Sequence, residues 1–222
     1  QGIDVELVTD ALGDAIEHYG DWMAGVEQLS SRGRKRVDEM VGLLNVYKDA
    51  LEVDLLARRG SEFLRRQKGQ LKLDNSVIEE FLPLLVCPEV ITGVDAGQLH
   101  AGPQQAFMSL AFTPRTINDL TNRPEVLLKV KDQDFALGTT VYYRLSVSRE
   151  FEPPRTASGQ FALAVLAAEC KVNLDKTMFQ EAAGTATRMK QGCPVAKYYV
   201  LVEYLDMTPE DTRLTDIDNV LI

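Results

Sequence analysis

Histidine is nearly absent from this chain: His18 and His100 are the only two in 222 residues. A nucleophile–histidine triad or a histidine-rich metal site therefore has very little material to work with. Cysteine is as scarce. Cys87, Cys170 and Cys193 are odd in number and show no C-x-x-C spacing, which argues against a disulfide framework or a thiolate zinc site and fits a reducing cytoplasm. No glycine-rich phosphate cradle follows a strand-like run, so a Schiff-base lysine enzyme of an unrelated α/β type is disfavoured. No apolar stretch approaches the length of a membrane span and no signal peptide opens the chain, so no membrane partner is expected.

Residues 1–31 lack Lys and Arg altogether, against Asp4, Glu6, Asp10, Asp14, Glu17, Asp21 and Glu27. Those seven acids supply most of the net charge of −9, so the total says little against a nucleic-acid partner. Over residues 56–72 the balance reverses, with Arg58, Arg59, Arg65, Arg66, Lys68 and Lys72 against a single acid, Glu62. A local patch governs phosphate contact, not the total. Arg65, Arg66, Gln67 and Lys68 are side chains suited to phosphate and base-edge hydrogen bonds, which makes this run a candidate DNA contact. A solvated loop is the competing reading.

With 45% apolar and 26% charged residues the chain has an ordinary globular composition, and its length suits one large domain or a domain with a helical extension. We divide it into an N-terminal helical region, 1–73, for DNA or subunit contact, and a core, 74–222. The start at Gln1 reads as a trimmed or processed chain, and Val220-Leu221-Ile222 as a strand cut short.

Apolar positions from Ile3 to Leu29 fit one or two helices, and Ser30-Ser31 offers a cap for the next. Val37, Met40, Val41, Leu44, Tyr47, Leu51 and Leu55 then recur at steps of three and four, predicting an amphipathic helix. Its opening cations, Arg32, Arg34, Lys35 and Arg36, mark either a phosphate-facing surface or a solvated helix start. Asp74-Asn75-Ser76 cap a short helix from Val77 to Leu85 with Ile78, Phe81, Leu82 and Leu85 facing inward. Glu79 falls at its polar pole and Glu80 nearer the apolar stripe, so Glu80 is the better candidate to reach a site. Residues 87–125 are rich in Gly and Pro and predict irregular structure with one short element near Ala106–Phe112. Beyond them, Val126–Val130 and Asp132–Val147 read as two strands. Pro153-Pro154 and Ser158-Gly159 form the connection to the next apolar run.

The centre of the chain is residues 161–203. Phe161–Ala168 is an apolar run of the kind seen in fully buried strands, and it ends in Glu169-Cys170-Lys171. Period-2 geometry puts Glu169 and Lys171 on one side and Cys170 on the other. Asp175 is an N-cap candidate for a helix with Met178, Phe179, Ala182, Ala183, Ala186 and Met189 at helical spacing, stopped by Gly192 and Pro194. A second strand, Lys197–Glu203, completes a βαβ unit. An acid and an amine at the end of a buried strand cost desolvation unless something offsets it, such as a metal or a substrate, or unless they simply pair in solvent.

An acid at a strand start, here Asp134 in Gln133-Asp134-Phe135, followed by Glu169-Cys170-Lys171, helix and strand, resembles the PD-(D/E)XK nuclease superfamily. Phe63–Asn75, Ile78–Pro83, Gln133–Gly138 and Glu169–Lys171 with Leu174–Thr177 resemble more closely the BbvCI-type restriction endonucleases. The resemblance implies an α/β fold, a mixed central sheet flanked by helices, with an N-terminal helical region. It implies a type II restriction endonuclease subunit of the bacterial cytoplasm, paired with a second, related subunit as a heterodimer, which hydrolyses one strand of a specific duplex DNA site. Mg²⁺ would be held by Asp134, Glu169 and the backbone carbonyl of Cys170, with Lys171 beside the attacking water and Glu80 completing the shell. Two departures stand out. No proline precedes the acid, and 35 positions separate Asp134 from Glu169, which leaves Asp132 a rival. Gln180, one turn into the helix, either helps position the site or lies on the surface. The alternatives are a DNA-binding or structural subunit with an inactive nuclease fold, and a less specific defence or repair nuclease.

Overall fold

The computed structural model describes residues 5–51, 73–92 and 98–222, and the side chains of 13–51, 77–92 and 98–222. They form two compact units, Gln1–Val94 and Asp95–Ile222. In the first, α1 (Val5–Glu27), α2 (Gly33–Asp49) and α3 (Leu73–Leu84) bury Trp22, Val26, Met40, Tyr47, Leu51, Val77 and Phe81. The α2 periodicity is the reason: Met40, Tyr47 and Leu51 all come to one stripe, and Tyr47 stacks on Trp22 at 5.3 Å between ring centroids. Residues 5–27 make a single helix. The expected Ser30-Ser31 cap is not used. Arg32 is the N-cap without a side-chain hydrogen bond, and the Ser31 hydroxyl turns instead to Glu39. The opening cations find local partners. Arg34 and Lys35 pair with Asp38 and Glu39 at i,i+4, and Arg36 donates to the Leu29 carbonyl at 2.6 Å, closing the end of α1. Helix α3 starts at Leu73, so Asp74–Ser76 lie within it rather than ahead of it. It packs within the first unit, where Val77 and Phe81 join the cluster of α1 and α2.

The second unit is a mixed five-stranded sheet in the order β1 (His100–Phe112), β2 (Val126–Ser146), β3 (Thr156–Leu174), β4 (Lys197–Leu205) and β5 (Asn219–Leu221). The first three strands are antiparallel, and the last two run parallel to β3. Helix α4 (Lys176–Gly192) crosses between β3 and β4, the βαβ unit read from the sequence. Asp175 caps it, accepting the Met178 N–H at 2.8 Å. Phe179, Ala182, Thr185, Ala186 and Met189 form its buried face, whereas Met178 is exposed. At Gly192 any Cβ would run into the Met108 carbonyl, so this glycine lets the helix end lie directly on β1.

Two expectations change here. Residues 100–112 form a long strand, not an irregular segment with one short element, and 126–146 form one strand rather than two. Gly102-Pro103 hides β1 from a pattern reading, because proline has no N–H for a ladder. The strand accommodates it with a register shift between Gly102 and Gln104, and the Gln104 side chain donates to the Ala136 carbonyl at 2.7 Å. Ser158-Gly159 likewise lies inside β3, not in a connection.

Asp218 fastens β5 to β4 and to α4. Its carboxylate takes Lys190 at 2.7 Å, Lys197 at 2.8 Å and the Tyr198 N–H at 2.8 Å. Burial alone would raise this carboxyl, but the hydrogen bonds from Lys190, Lys197 and the Tyr198 N–H outweigh it and hold it at about 2. A depressed folded-state pKa gives stability that is present above the unfolded value near 4 and lost as pH falls toward 2. Asp218→Asn should therefore cost about 1–2 kcal/mol at neutral pH. In urea melts followed from pH 7 to pH 2, the gap to the parent protein should close at the acid end.

Candidate active site

β3 delivers Glu169 and Lys171 to the sheet face that carries α4, and turns Cys170 away into the packing, where it is 1% exposed. The Lys171 ammonium meets Glu169 Oε1 at 2.8 Å, with both side chains largely covered. Asp134 comes to the same place from β2. The last matched pair of the β2–β3 ladder is Phe135 with Ala168, so Asp134 lies one step on, level with Glu169. Its Oδ2 accepts the Cys170 N–H at 2.9 Å. Asp134, Glu169, Cys170 and Lys171 are thus brought together on two adjacent strands.

A fifth residue, Tyr198, joins them, and sequence reasoning misses it. It opens β4 level with Ala167, is fully buried, and donates its hydroxyl to Glu169 Oε2 at 2.8 Å. Burial, then the charge and hydrogen bond of Glu169, push that hydroxyl well above the ordinary tyrosine range, so it stays a donor. The signal in the sequence is faint, since Tyr198 and Tyr199 differ only in which face they take. Burial lowers the Lys171 ammonium, but the Glu169 hydrogen bond and the charges of Glu169, Asp134 and Glu181 outweigh it, and the net shift is upward. Lys171 in this arrangement is a cation. Glu181, on the second turn of α4, is the other acid whose field reaches it.

Asp132 and Gln180 are both exposed. His100 is exposed at the start of β1. Glu80 belongs to the helical unit, where it is exposed and accepts the Tyr19 hydroxyl, while Glu79 is the more covered of the two. The hydrogen bond to Glu80, followed by burial, pushes Tyr19 up to about 12. Glu80→Gln should bring that phenol back toward 10, read by ultraviolet titration. Loss of DNA cleavage in the same folded variant would place Glu80 in the catalytic set as well. Arg65, Arg66, Gln67 and Lys68 lie outside the described residues.

The donor set suits a hard cation. Among the described residues no three His, Cys, Asp or Glu side chains cluster closely enough to hold an ion by themselves. Two carboxylates next to a lysine are oxygen donors of the sort Mg²⁺ uses when water and phosphate complete its shell, rather than an all-protein cage. A cleft of about 630 Å³ does exist, lined by Thr113, Asp119, Arg123 and Tyr143 among others, but Asp134, Glu169 and Lys171 have no part in it. No described helix is long and apolar enough to cross a membrane.

The fold is similar to that of a chain of the native BbvCI A2B2 tetramer, with a TM-score of 0.64 at 21% identity, covering 98% of this chain and 77% of that one. At that identity the likeness concerns the fold, and it matches the α/β architecture expected from the sequence. No curated protein sequence matches the chain. The profile of the Bpu10I restriction endonuclease family matches residues 70–222, which span the whole sheet, α4 and the strand pair bearing Asp134 and Glu169. The chain belongs to the Bpu10I restriction endonuclease family.

Proposed function

We propose that this chain is a subunit of a Mg²⁺-dependent type II restriction endonuclease and that it hydrolyses one strand of a specific duplex DNA site. The observation that carries the proposal is the convergence of Asp134 and Glu169 from β2 and β3 on one sheet face, with the Lys171 ammonium between strand and solvent. Asp134 and Glu169 supply carboxylate ligands, with the Cys170 carbonyl as a third oxygen. A bound divalent ion supplies Lewis-acid polarisation of the phosphate and a water of lowered pKa.

The chain's own groups do the rest. The ammonium of Lys171 donates to the attacking water or to a phosphate oxygen, where negative charge develops. The Cys170 N–H orients the Asp134 carboxylate through a donor that belongs to the β3 backbone. Arg65, Arg66, Gln67 and Lys68 contact the DNA. A second, related subunit cuts the other strand. The tetramer of BbvCI supports a multi-subunit assembly of this kind.

The Glu169–Lys171 ion pair also suits a structural subunit whose site is inactive. Incubation of supercoiled plasmid with the purified chain, with and without its partner subunit, separates the two readings. Mg²⁺-dependent conversion to open circles or to defined fragments is expected; an intact plasmid with both subunits present would sink the proposal. A smear in place of discrete fragments would point to a less specific nuclease.

A further inference from the structure

Tyr198 is the group at this site to which phosphodiester hydrolysis assigns no task. Its position is fixed on all sides. The side chain is completely buried. Its backbone N–H donates to Asp218 Oδ2 and its carbonyl accepts the Asp218 N–H, both at 2.8 Å. From that rigid base the hydroxyl reaches Glu169 Oε2.

The two oxygens of the Glu169 carboxylate are therefore not equivalent. Oε2 is held by a neutral phenol that packing keeps in place. Oε1 faces the Lys171 ammonium, a charged group on a flexible stem with 29% of its side chain exposed. A cation arriving from solvent can replace the second partner and not the first. The terminal torsion of a glutamate is broad, so a carboxylate lacking its anchor turns freely. It would also leave a covered oxygen without a donor, at a cost relieved by turning both oxygens toward Lys171.

We propose that Tyr198 is a positioning residue for metal capture: its hydroxyl anchors Glu169 through Oε2 and leaves Oε1 as the oxygen offered to a divalent cation. The inference rests on the proposed role of Glu169 as a metal ligand. Groups that orient a ligand from behind commonly change metal affinity by about 10–100-fold when removed.

The test uses the full chain with its partner subunit. Mn²⁺ binding is measured by calorimetry without DNA, and plasmid cleavage is followed as a function of Mg²⁺. For Tyr198→Phe, which removes one oxygen and keeps the ring, the Mn²⁺ dissociation constant and the Mg²⁺ concentration for half-maximal cleavage should both rise about tenfold. The rate at saturating Mg²⁺ should stay within about threefold, a split that a merely structural role would not produce. Thr185, beside the Tyr198 hydroxyl on α4, provides a second perturbation. Thr185→Val should move both constants in the same direction by about two- to threefold, and it carries the test if the tyrosine variant does not fold. Unchanged metal constants in folded variants, or a fall in saturated rate alone, overturn the proposal. A parent protein that cleaves DNA but shows no Mn²⁺ response to Glu169→Gln instead overturns the ligand assignment beneath it.

Discussion

Lys171→Ala is expected to lower DNA cleavage by about a thousandfold while the fold, DNA binding and metal binding persist. Its ammonium is the cation that the strand pair holds against Glu169, and among the described residues no other ion pair reaches that carboxylate. The structural cost is small. Glu169 keeps the Tyr198 hydroxyl on Oε2 and loses only the partner on Oε1, which faces water once the lysine is gone. About 1–2 kcal/mol of unfolding free energy is the expected loss. Divalent-ion affinity should hold or rise, because the ammonium competes with a cation for Oε1. Lys171→Arg should not restore the rate, since a planar guanidinium fork on a longer stem does not reproduce a compact point charge. Paired with an intact partner subunit, the variant should convert supercoiled plasmid to open circles and stop there. Linear product at the parental rate would remove Lys171 from the mechanism.

The strand pair is legible in the sequence because its parts obey simple periods. Eight apolar residues before Glu169, the alternation that separates Cys170 from its neighbours and the Asp175 cap are all local features, and each appears where period and capping chemistry put it. What stays illegible is irregular or depends on register. Pro103 breaks the pattern of β1, and only the pairing with β2 shows how the strand absorbs it. Tyr198 is one of two adjacent tyrosines, and its task depends on the parallel register that sets it level with Ala167. The Glu80 carboxylate meets the Tyr19 hydroxyl, 61 residues away in sequence, a partner that no helical wheel can show. Local physics specifies elements, while alignment between elements specifies which side chains converge.

That alignment hinges on Gly138, and Gly138→Val should remove it. On one side of the hinge Gly138 pairs with Ala164; on the other, Leu137 pairs with Leu166, leaving Val165 without a partner on β2. This β-bulge changes the register by one residue, and in a strand a one-residue change exchanges the two faces. If the pairing of Gly138 with Ala164 continued without a bulge, Asp134 would fall opposite Ala168 and point away from Glu169. The bulge is what brings the two acids to one face. It requires β2 to pass very close to β3, and a Cβ at Gly138 would meet the Leu163 carbonyl oxygen and the Ala164 Cα, both backbone. Neither can turn aside. Valine there should cost about 3 kcal/mol or more, measured as a fall in the denaturant midpoint, and any folded remainder should lack cleavage. Gly159→Ala supplies the contrast. Its Cβ would meet the Tyr143 ring, the end of a side chain that can shift, so its cost should stay near about 1 kcal/mol with cleavage retained. Equal losses at the two glycines would show that Gly138 serves only packing and that the bulge does not set the pairing of Asp134 with Glu169.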